Sequence, residues 1–268
     1  MKIKRAFLDT EDGQIHYRIG GEGKPLLLLH RNPSSSNEFQ DLMPIFAETK
    51  RVIAMDLMGL GDSDKPPRIY SVADYAKTVI MLLDELGIKT TSILGHHTGA
   101  YVGAEVAAAY SDRVDKLILC NVDDFTEEQK AAIANRYYQV FQIKPDGSHL
   151  IERWSFRAQY VGSTELNHLC MLDEAKCYGY PPYAPLAFIN YPYLERFRLI
   201  QCPTLVLSGT EDIKGLVKLG LAQAENRNFI KQVIPQAKVI DIEGGTFCMM
   251  HQQTQKISKV VLEFLDVL

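Results

Sequence analysis

The chain has 268 residues, which predicts one large domain or one domain with a sizeable insertion, because domains average roughly 150 residues. Its 46% hydrophobic and 23% charged residues are ordinary for a globular protein and exclude a disordered, fibrous or low-complexity chain. The 29 basic and 33 acidic residues give a net charge of -4 without a cluster of Lys and Arg, which argues against nucleic acid as a partner.

The apolar segments are short. A polar turn follows the first residues before a signal peptide could form, and the runs 26–29 and 79–83 fall far below the roughly 20 residues of a membrane span. We therefore expect no membrane partner and a soluble, cytoplasmic protein. The five cysteines are an odd number without Cys-x-x-Cys spacing, so we expect them to be reduced, with neither a disulfide framework nor a zinc site.

Residues 1–123 alternate short β-type runs with helical patterns. Asp12-Gly13 lies between two such runs and predicts a hairpin turn. The predicted strands are residues 4–8, 14–18, 25–29, 51–55, 91–94 and 116–119, and the predicted helices are residues 38–46, 72–86 and 98–110. Apolar strands that alternate with amphipathic helices indicate the α/β class, with a mostly parallel sheet covered on both faces.

Residues 124–200 have a different composition, rich in Tyr and Pro, and contain the only tryptophan. Thr126 and Gln129 form the pattern of a capping box and predict a helix start. The α/β pattern then resumes with strands at residues 204–207 and 238–242 and a closing helix. We expect an α/β core of residues 1–123 and 201–268, interrupted by a helical lid of residues 124–200.

Three motifs follow one another within residues 30–99: His-Arg-Asn-Pro at residues 30–33, Asp-Leu-Met-Gly-Leu-Gly-Asp-Ser at residues 56–63, and Gly-His-His-Thr-Gly at residues 95–99. They resemble the oxyanion loop His-Gly-x-Pro, the turn Asp-x-x-Gly-x-Gly-x-Ser and the nucleophile elbow Gly-x-Ser-x-Gly of the α/β-hydrolase fold superfamily. The resemblance covers nearly the whole chain. It implies the α/β-hydrolase fold, a mostly parallel central sheet flanked by helices with an inserted helical lid.

The chain departs from the family at the catalytic positions. His97 stands where the family has its serine nucleophile, and Thr246 stands where the family has its histidine, while Asp212 is in register with the family's acid. We predict that these three residues are catalytic, with His97 as general base. Thr246 is expected within hydrogen-bond reach of His97 to orient the ring, and Asp212 is expected to bind Thr246 or the substrate. His251 is an alternative replacement for the missing histidine.

The oxyanion loop supplies further candidates. By the resemblance, the backbone N–H groups of Asn32 and Thr98 polarise a substrate carbonyl. His30 belongs to the same candidate site, with a supporting role beneath the loop.

Arg31 replaces the glycine of the family motif. Its guanidinium could clamp a carboxylate or a developing oxyanion. The alternative is that it faces solvent or pairs with Asp56 or Asp212.

The lid offers weaker candidates. His149 and Trp154 could face the cleft, and Asp124, at the end of a predicted strand, is a backup for the catalytic acid. Tyrosines of the lid could line a pocket for an aromatic ligand or form the lid's own core; they are Tyr178, Tyr180, Tyr183, Tyr191 and Tyr193.

We expect no metal, because adjacent His96 and His97 cannot point the same way on one element, and no cofactor. The expected partner is a small molecule, and a homodimer is left open. The predicted function is cofactor-independent hydrolysis of an ester or lactone of a small, largely apolar carbonyl compound, or related proton-transfer chemistry such as C–C lysis or cyclisation. The alternative is a catalytically silent pseudo-hydrolase that binds a small aromatic ligand.

Overall fold

The computed structural model describes residues 2–177 and 183–267. Within them one sheet contains eight strands. In chain order these are β1 (Lys4–Thr10), β2 (Gly13–Gly20), β3 (Lys24–Leu29), β4 (Lys50–Met55), β5 (Thr91–His96), β6 (Val114–Cys120), β7 (Thr204–Gly209) and β8 (Lys238–Ile242).

The strand order across the sheet is β1-β2-β4-β3-β5-β6-β7-β8. The pairs β1–β2 and β2–β4 are antiparallel, and every later neighbour pair is parallel. The predicted hairpin forms with Asp12-Gly13 at its turn, where Gly13 adopts a φ of 122°. The prediction of a mostly parallel α/β sheet is confirmed.

The α-helices of the described residues are α1 (Leu42–Phe46), α2 (Val72–Glu85), α3 (Thr98–Ala109), α4 (Glu127–Val140), α5 (Ser148–Ala158), α6 (Thr164–Ala175), α7 (Tyr183–Ile189), α8 (Tyr193–Phe197), α9 (Thr210–Lys218), α10 (Ile230–Val233), α11 (Met249–Gln252) and α12 (Thr254–Asp266). Short 3-10 helices form at Ser36–Phe39, Ser111–Arg113 and Ala224–Arg227. Among these described helices, we find none with the length and apolar character needed to span a bilayer.

Two helices begin at capping boxes, and the box predicted at Thr126 and Gln129 is confirmed. Ser71 and Asp74 form a capping box at α2, and Thr126 and Gln129 form one at α4. The single helix predicted over residues 38–46 is wrong, because the segment splits into a 3-10 turn and the short α1. Pro44 lacks a backbone N–H and is tolerated only near a helix start, so one continuous helix through it is disfavoured.

The core lies on both faces of the sheet. In β3, Leu27 and Leu29 join the cluster beneath α2 and α3, while Leu26 and Leu28 join the opposite cluster, which contains residues of α1 and α12. All four leucines are fully buried. Successive side chains of a strand point to opposite faces, so a fully apolar strand requires this double cover.

The segment 124–200 follows β6 and precedes β7, and its described part is mainly helical. Tyr191 and Tyr193 pack in the main apolar cluster, where their hydroxyls bind Glu105 and Asp124. They therefore form part of the core. Tyr178 and Tyr180 lie outside the described residues, as does the side chain of Tyr183.

Candidate active site

His97 occupies the turn between β5 and α3, with a φ of 45°. This conformation is rare for a residue with a side chain and marks a constrained turn. The flanking glycines permit it: a Cβ on Gly95 would lie 2.3 Å from the oxygen of Gly99, and a Cβ on Gly99 would lie 2.1 Å from that of Leu29. The close approach of α3 to the sheet therefore holds the His97 backbone in place. Its side chain is 17% exposed, enough for a small molecule to reach.

Asp212 is the hydrogen-bond partner of His97, with 3.1 Å between His97 Nε2 and Asp212 Oδ1. It lies in the first turn of α9, directly after β7, and is fully buried. A carboxylate accepts hydrogen bonds, so this contact places the ring proton on Nε2 and the lone pair of the neutral imidazole on Nδ1. That Nδ1 has no hydrogen-bond partner among the described residues, so it is free to accept a proton.

Arg227 stabilises the charge of Asp212. Its Nη2 lies 2.5 Å from Asp212 Oδ2, and its Nε lies 2.8 Å from Oδ1 of Asp123. Burial alone would raise the pKa of Asp212, but the charge and hydrogen bond of His97 and the charge of Arg227 outweigh it and lower the pKa. Asp212 is therefore ionised at neutral pH.

The same residues include a cluster with the donor types of a metal site. Ligand atoms of His97, Asp123 and Asp212 all lie within 4.8 Å of one another. The guanidinium of Arg227, however, pairs with both carboxylates and already supplies the positive charge that a metal ion would bring. The chemistry of this donor set therefore does not favour a metal ion.

Thr246 does not pair with His97. Its hydroxyl donates to Oε1 of Gln252 at 2.6 Å and accepts the N–H of Cys248, so it serves the turn that leads into α11. The expected contact of Asp212 with Thr246 is replaced by the contact with His97. Phe247, the next residue, contacts His97 instead: the two rings are stacked, with their centres 4.9 Å apart and their planes 10° from parallel. The predicted orienting role of Thr246 is wrong.

His251 does not replace the missing histidine. Its Nδ1 lies 3.0 Å from Oδ2 of Asp41, a carboxylate that is half exposed to solvent. The ring is therefore engaged away from His97 and Asp212.

Asn32 and Thr98 border the same cavity as His97. Neither backbone N–H donates a hydrogen bond to another described residue, so both are free to bind an oxyanion. His30, in contrast, is fully buried: its Nδ1 contacts the oxygen of Arg31 at 2.6 Å, and its Nε2 accepts the N–H of Leu57. His30 does not border the cavity, and this position fits the supporting role expected of it beneath the loop.

Arg31 pairs with Glu38, a residue that sequence reasoning missed. Arg31 Nε lies 3.0 Å from Glu38 Oε1, which also contacts Nδ1 of His96 at 2.8 Å. Burial alone would raise the pKa of Glu38, but His96 and Arg31 lower it to about 2. Arg31 therefore neither faces solvent nor pairs with Asp56 or Asp212, although it still borders the cavity.

The lid candidates do not reach the site. His149 accepts the backbone N–H of Lys144 within the segment 124–200, and neither it nor Trp154 borders the cavity. Asp124 accepts the hydroxyl proton of Tyr193 at 2.6 Å and also lies outside the cavity wall. Asp123, its neighbour, is the acid that borders the cavity.

The cavity measures about 120 Å³, close to the size that holds a single benzene-sized ring. Its wall is largely aromatic, with Phe125, Phe156, Phe188 and Phe247 among the contributors. The residues of the core and of the segment 124–200 both contribute to it. The cavity is thus suited to a small, largely apolar molecule next to His97.

Comparison with known proteins agrees with this fold. The chain belongs to the α/β hydrolase fold family, whose model matches residues 24–251. A hydrolase from Pseudomonas aeruginosa has a similar structure, with a TM-score of 0.81 at 21% identity over 98% of each chain.

Two relatives extend the comparison by sequence. A cis-3-alkyl-4-alkyloxetan-2-one decarboxylase from Shewanella oneidensis is 31% identical over 47% of this chain and 41% of its own length, so the match spans less than half of that protein. An (E)-2-((N-methylformamido)methylene)succinate hydrolase from Acinetobacter baylyi is 24% identical over 83% of this chain and 85% of its own length. By their names, the first of these relatives is a decarboxylase and the second is a hydrolase.

A fluorophosphonate probe is expected to leave His97 unlabelled, because such probes trap an activated serine and none stands at this turn. Mass spectrometry of the intact protein and of its proteolytic peptides would check this, with a serine hydrolase of the same fold as positive control. Labelling mapped to Ser34, Ser35 or Ser36 would show that the nucleophile lies in the oxyanion loop instead.

Proposed function

We propose that the protein is a cofactor-independent hydrolase of esters or lactones of small, largely apolar carbonyl compounds, with His97 as general base. The observation that carries the proposal is the hydrogen bond from His97 to buried Asp212 at the border of an aromatic cavity. The name of the Acinetobacter relative, which aligns over most of this chain, supports hydrolysis of a small molecule.

In this mechanism the neutral ring of His97 accepts a proton at Nδ1 from a water molecule, whose oxygen attacks the substrate carbonyl. Asp212 holds the Nε2 proton and stabilises the imidazolium that forms. The N–H groups of Asn32 and Thr98 would stabilise the tetrahedral oxyanion. As the intermediate collapses, the imidazolium returns its proton to the departing alkoxide. The same base could begin C–C lysis or cyclisation.

The alternative is a catalytically silent pseudo-hydrolase that binds a small aromatic ligand. Phe247 favours it, because its ring covers one face of the His97 ring and extends the aromatic wall. This stacking leaves the ring edge that carries Nδ1 uncovered. A hydrolase and a silent binder would therefore use the same cavity and differ only in turnover.

Hydrolysis of short nitrophenyl esters and of dihydrocoumarin would test the proposal. We expect saturable turnover by the wild type and at least a 10²-fold lower kcat for Asp212→Asn, because the amide no longer fixes the Nε2 proton or stabilises the imidazolium. Glu211→Gln, the same change at the exposed neighbour in α9, is the control. Thermal stabilisation by aromatic acids without any turnover would replace this proposal with the silent binder.

A further inference from the structure

The cavity wall formed by the segment 124–200 has an excess of positive charge. Arg136 of α4 and Arg153 of α5 both border the cavity. Arg153 pairs with Glu174, but Glu174 also pairs with Arg157. Arg136 forms no ion pair with any residue in 2–177 or 183–267. Two guanidinium groups thus share Glu174, and the third, that of Arg136, has no carboxylate partner among these residues.

The surroundings of Arg136 bring it no counter-charge. Its guanidinium carbon lies 4.9 Å from the ring centre of Phe156, and that of Arg153 lies 5.1 Å from the same centre. An aromatic ring attracts a cation without neutralising it. Burial, followed by the charge of Arg153, lowers the pKa of Arg136, which is the sign of a cation held without an anion.

The other charges at the cavity are already balanced. Arg31 pairs with Glu38, and Asp123 pairs with Arg227. Neither Glu38 nor Asp123 is therefore available to Arg136. An anion that enters the cavity would find its strongest attraction at the Arg136 and Arg153 end.

We infer that the ligand is a small monocarboxylate with an apolar, preferably aromatic, body, and that Arg136 and Arg153 bind its carboxylate. Guanidinium groups match the planar, two-oxygen shape of a carboxylate. The aromatic wall suits the rest of the molecule, and the cavity volume admits about one ring. The inference rests on the proposed function in one respect: the hydrolysable carbonyl of the same molecule would lie at His97.

Binding of matched acids and amides would test the inference without any need for turnover. The probes are phenylacetate and 3-phenylpropionate with their primary amides, measured by isothermal titration calorimetry at low salt. We expect the wild type to bind the acids at least about tenfold more tightly than the amides, since hydrogen bonds to charged groups are the stronger ones. We expect added NaCl to weaken only the acids.

Variants test whether Arg136 causes the preference for acids over amides. Arg136→Gln is expected to reduce the preference for the acids to threefold or less, whereas Arg198→Gln, the same change at an exposed arginine outside the cavity, should keep it. Arg136→Lys, which retains the charge, covers the case in which the glutamine variant folds poorly and should retain part of the preference. Arg153 is left unchanged, because its replacement would disturb the pairing of Glu174.

The inference is overturned if the wild type binds acids and amides equally, if Arg136→Gln keeps the full preference, or if phenyl phosphate binds more tightly than either acid. His97→Ala is expected to keep the preference for acids. A wild type that binds the acids but turns over no ester would contradict only the proposed function. A wild type that hydrolyses esters but does not prefer acids over amides would contradict only this inference.

Discussion

Replacing His97 by alanine is expected to lower turnover by about 10²–10⁴-fold, the range that a positioned general base contributes. His97 is the residue that combines a partly exposed ring, a carboxylate partner in Asp212 and a place on the cavity wall. Ligand affinity should change by no more than a few-fold, because the aromatic and cationic parts of the wall are retained. Steady-state kinetics on the esters and calorimetry on the acids would measure the two effects separately.

The control for this prediction is His168→Ala, which removes an imidazole from an exposed position in α6. It should leave both turnover and affinity unchanged. Full turnover by His97→Ala would show that another group activates the water, and the general-base role would then be wrong.

The parts of the site that the sequence predicts are those fixed by local geometry. Gly95 and Gly99 around His97 are read directly as a sharp turn between a strand and a helix. Asp212 follows β7, and the carboxyl ends of parallel strands meet at one edge of a sheet, so its approach to His97 follows from topology. The strand and helix bounds near capping residues follow from hydrogen bonds only a few residues apart.

The sequence does not predict those parts of the site that depend on a shift of one position in a turn or on contacts between residues far apart in the chain. In the turn after β8, Phe247 contacts His97 and Thr246 contacts Gln252 of α11. The hydrophobic periodicity of the sequence does not determine which of these two neighbours faces His97. Arg227 reaches Asp212 from a 3-10 helix, which has no strong sequence pattern. Glu38 stands at the start of a predicted helix, where acidic residues are common, so no signal in the sequence distinguished it.

Glu38→Gln is expected to lower the free energy of unfolding by about 3–5 kcal/mol, because removing one partner of a buried ion pair leaves the other charge uncompensated. Glu38 is 2% exposed, and it accepts the N–H of Arg31 and contacts His96 in addition to the Arg31 guanidinium. Arg31 is itself buried and has no other carboxylate partner among the described residues. Urea denaturation followed by circular dichroism would measure the change.

The control is Glu152→Gln, which breaks the exposed ion pair with Lys144 and should lower the free energy of unfolding by less than about 1 kcal/mol. The pH dependence of stability is a second measurement that tests the prediction. The pKa of Glu38 is lowered from 4.5 to about 2, so its contribution to stability is fully present above pH 4.5 and is lost as the pH falls towards 2. The difference between the wild type and Glu38→Gln should therefore be constant from pH 7 to pH 5 and should narrow below pH 4.5. A difference within 1 kcal/mol at pH 7, or one that does not change with acidification, would show that Arg31 does not depend on Glu38 for its counter-charge.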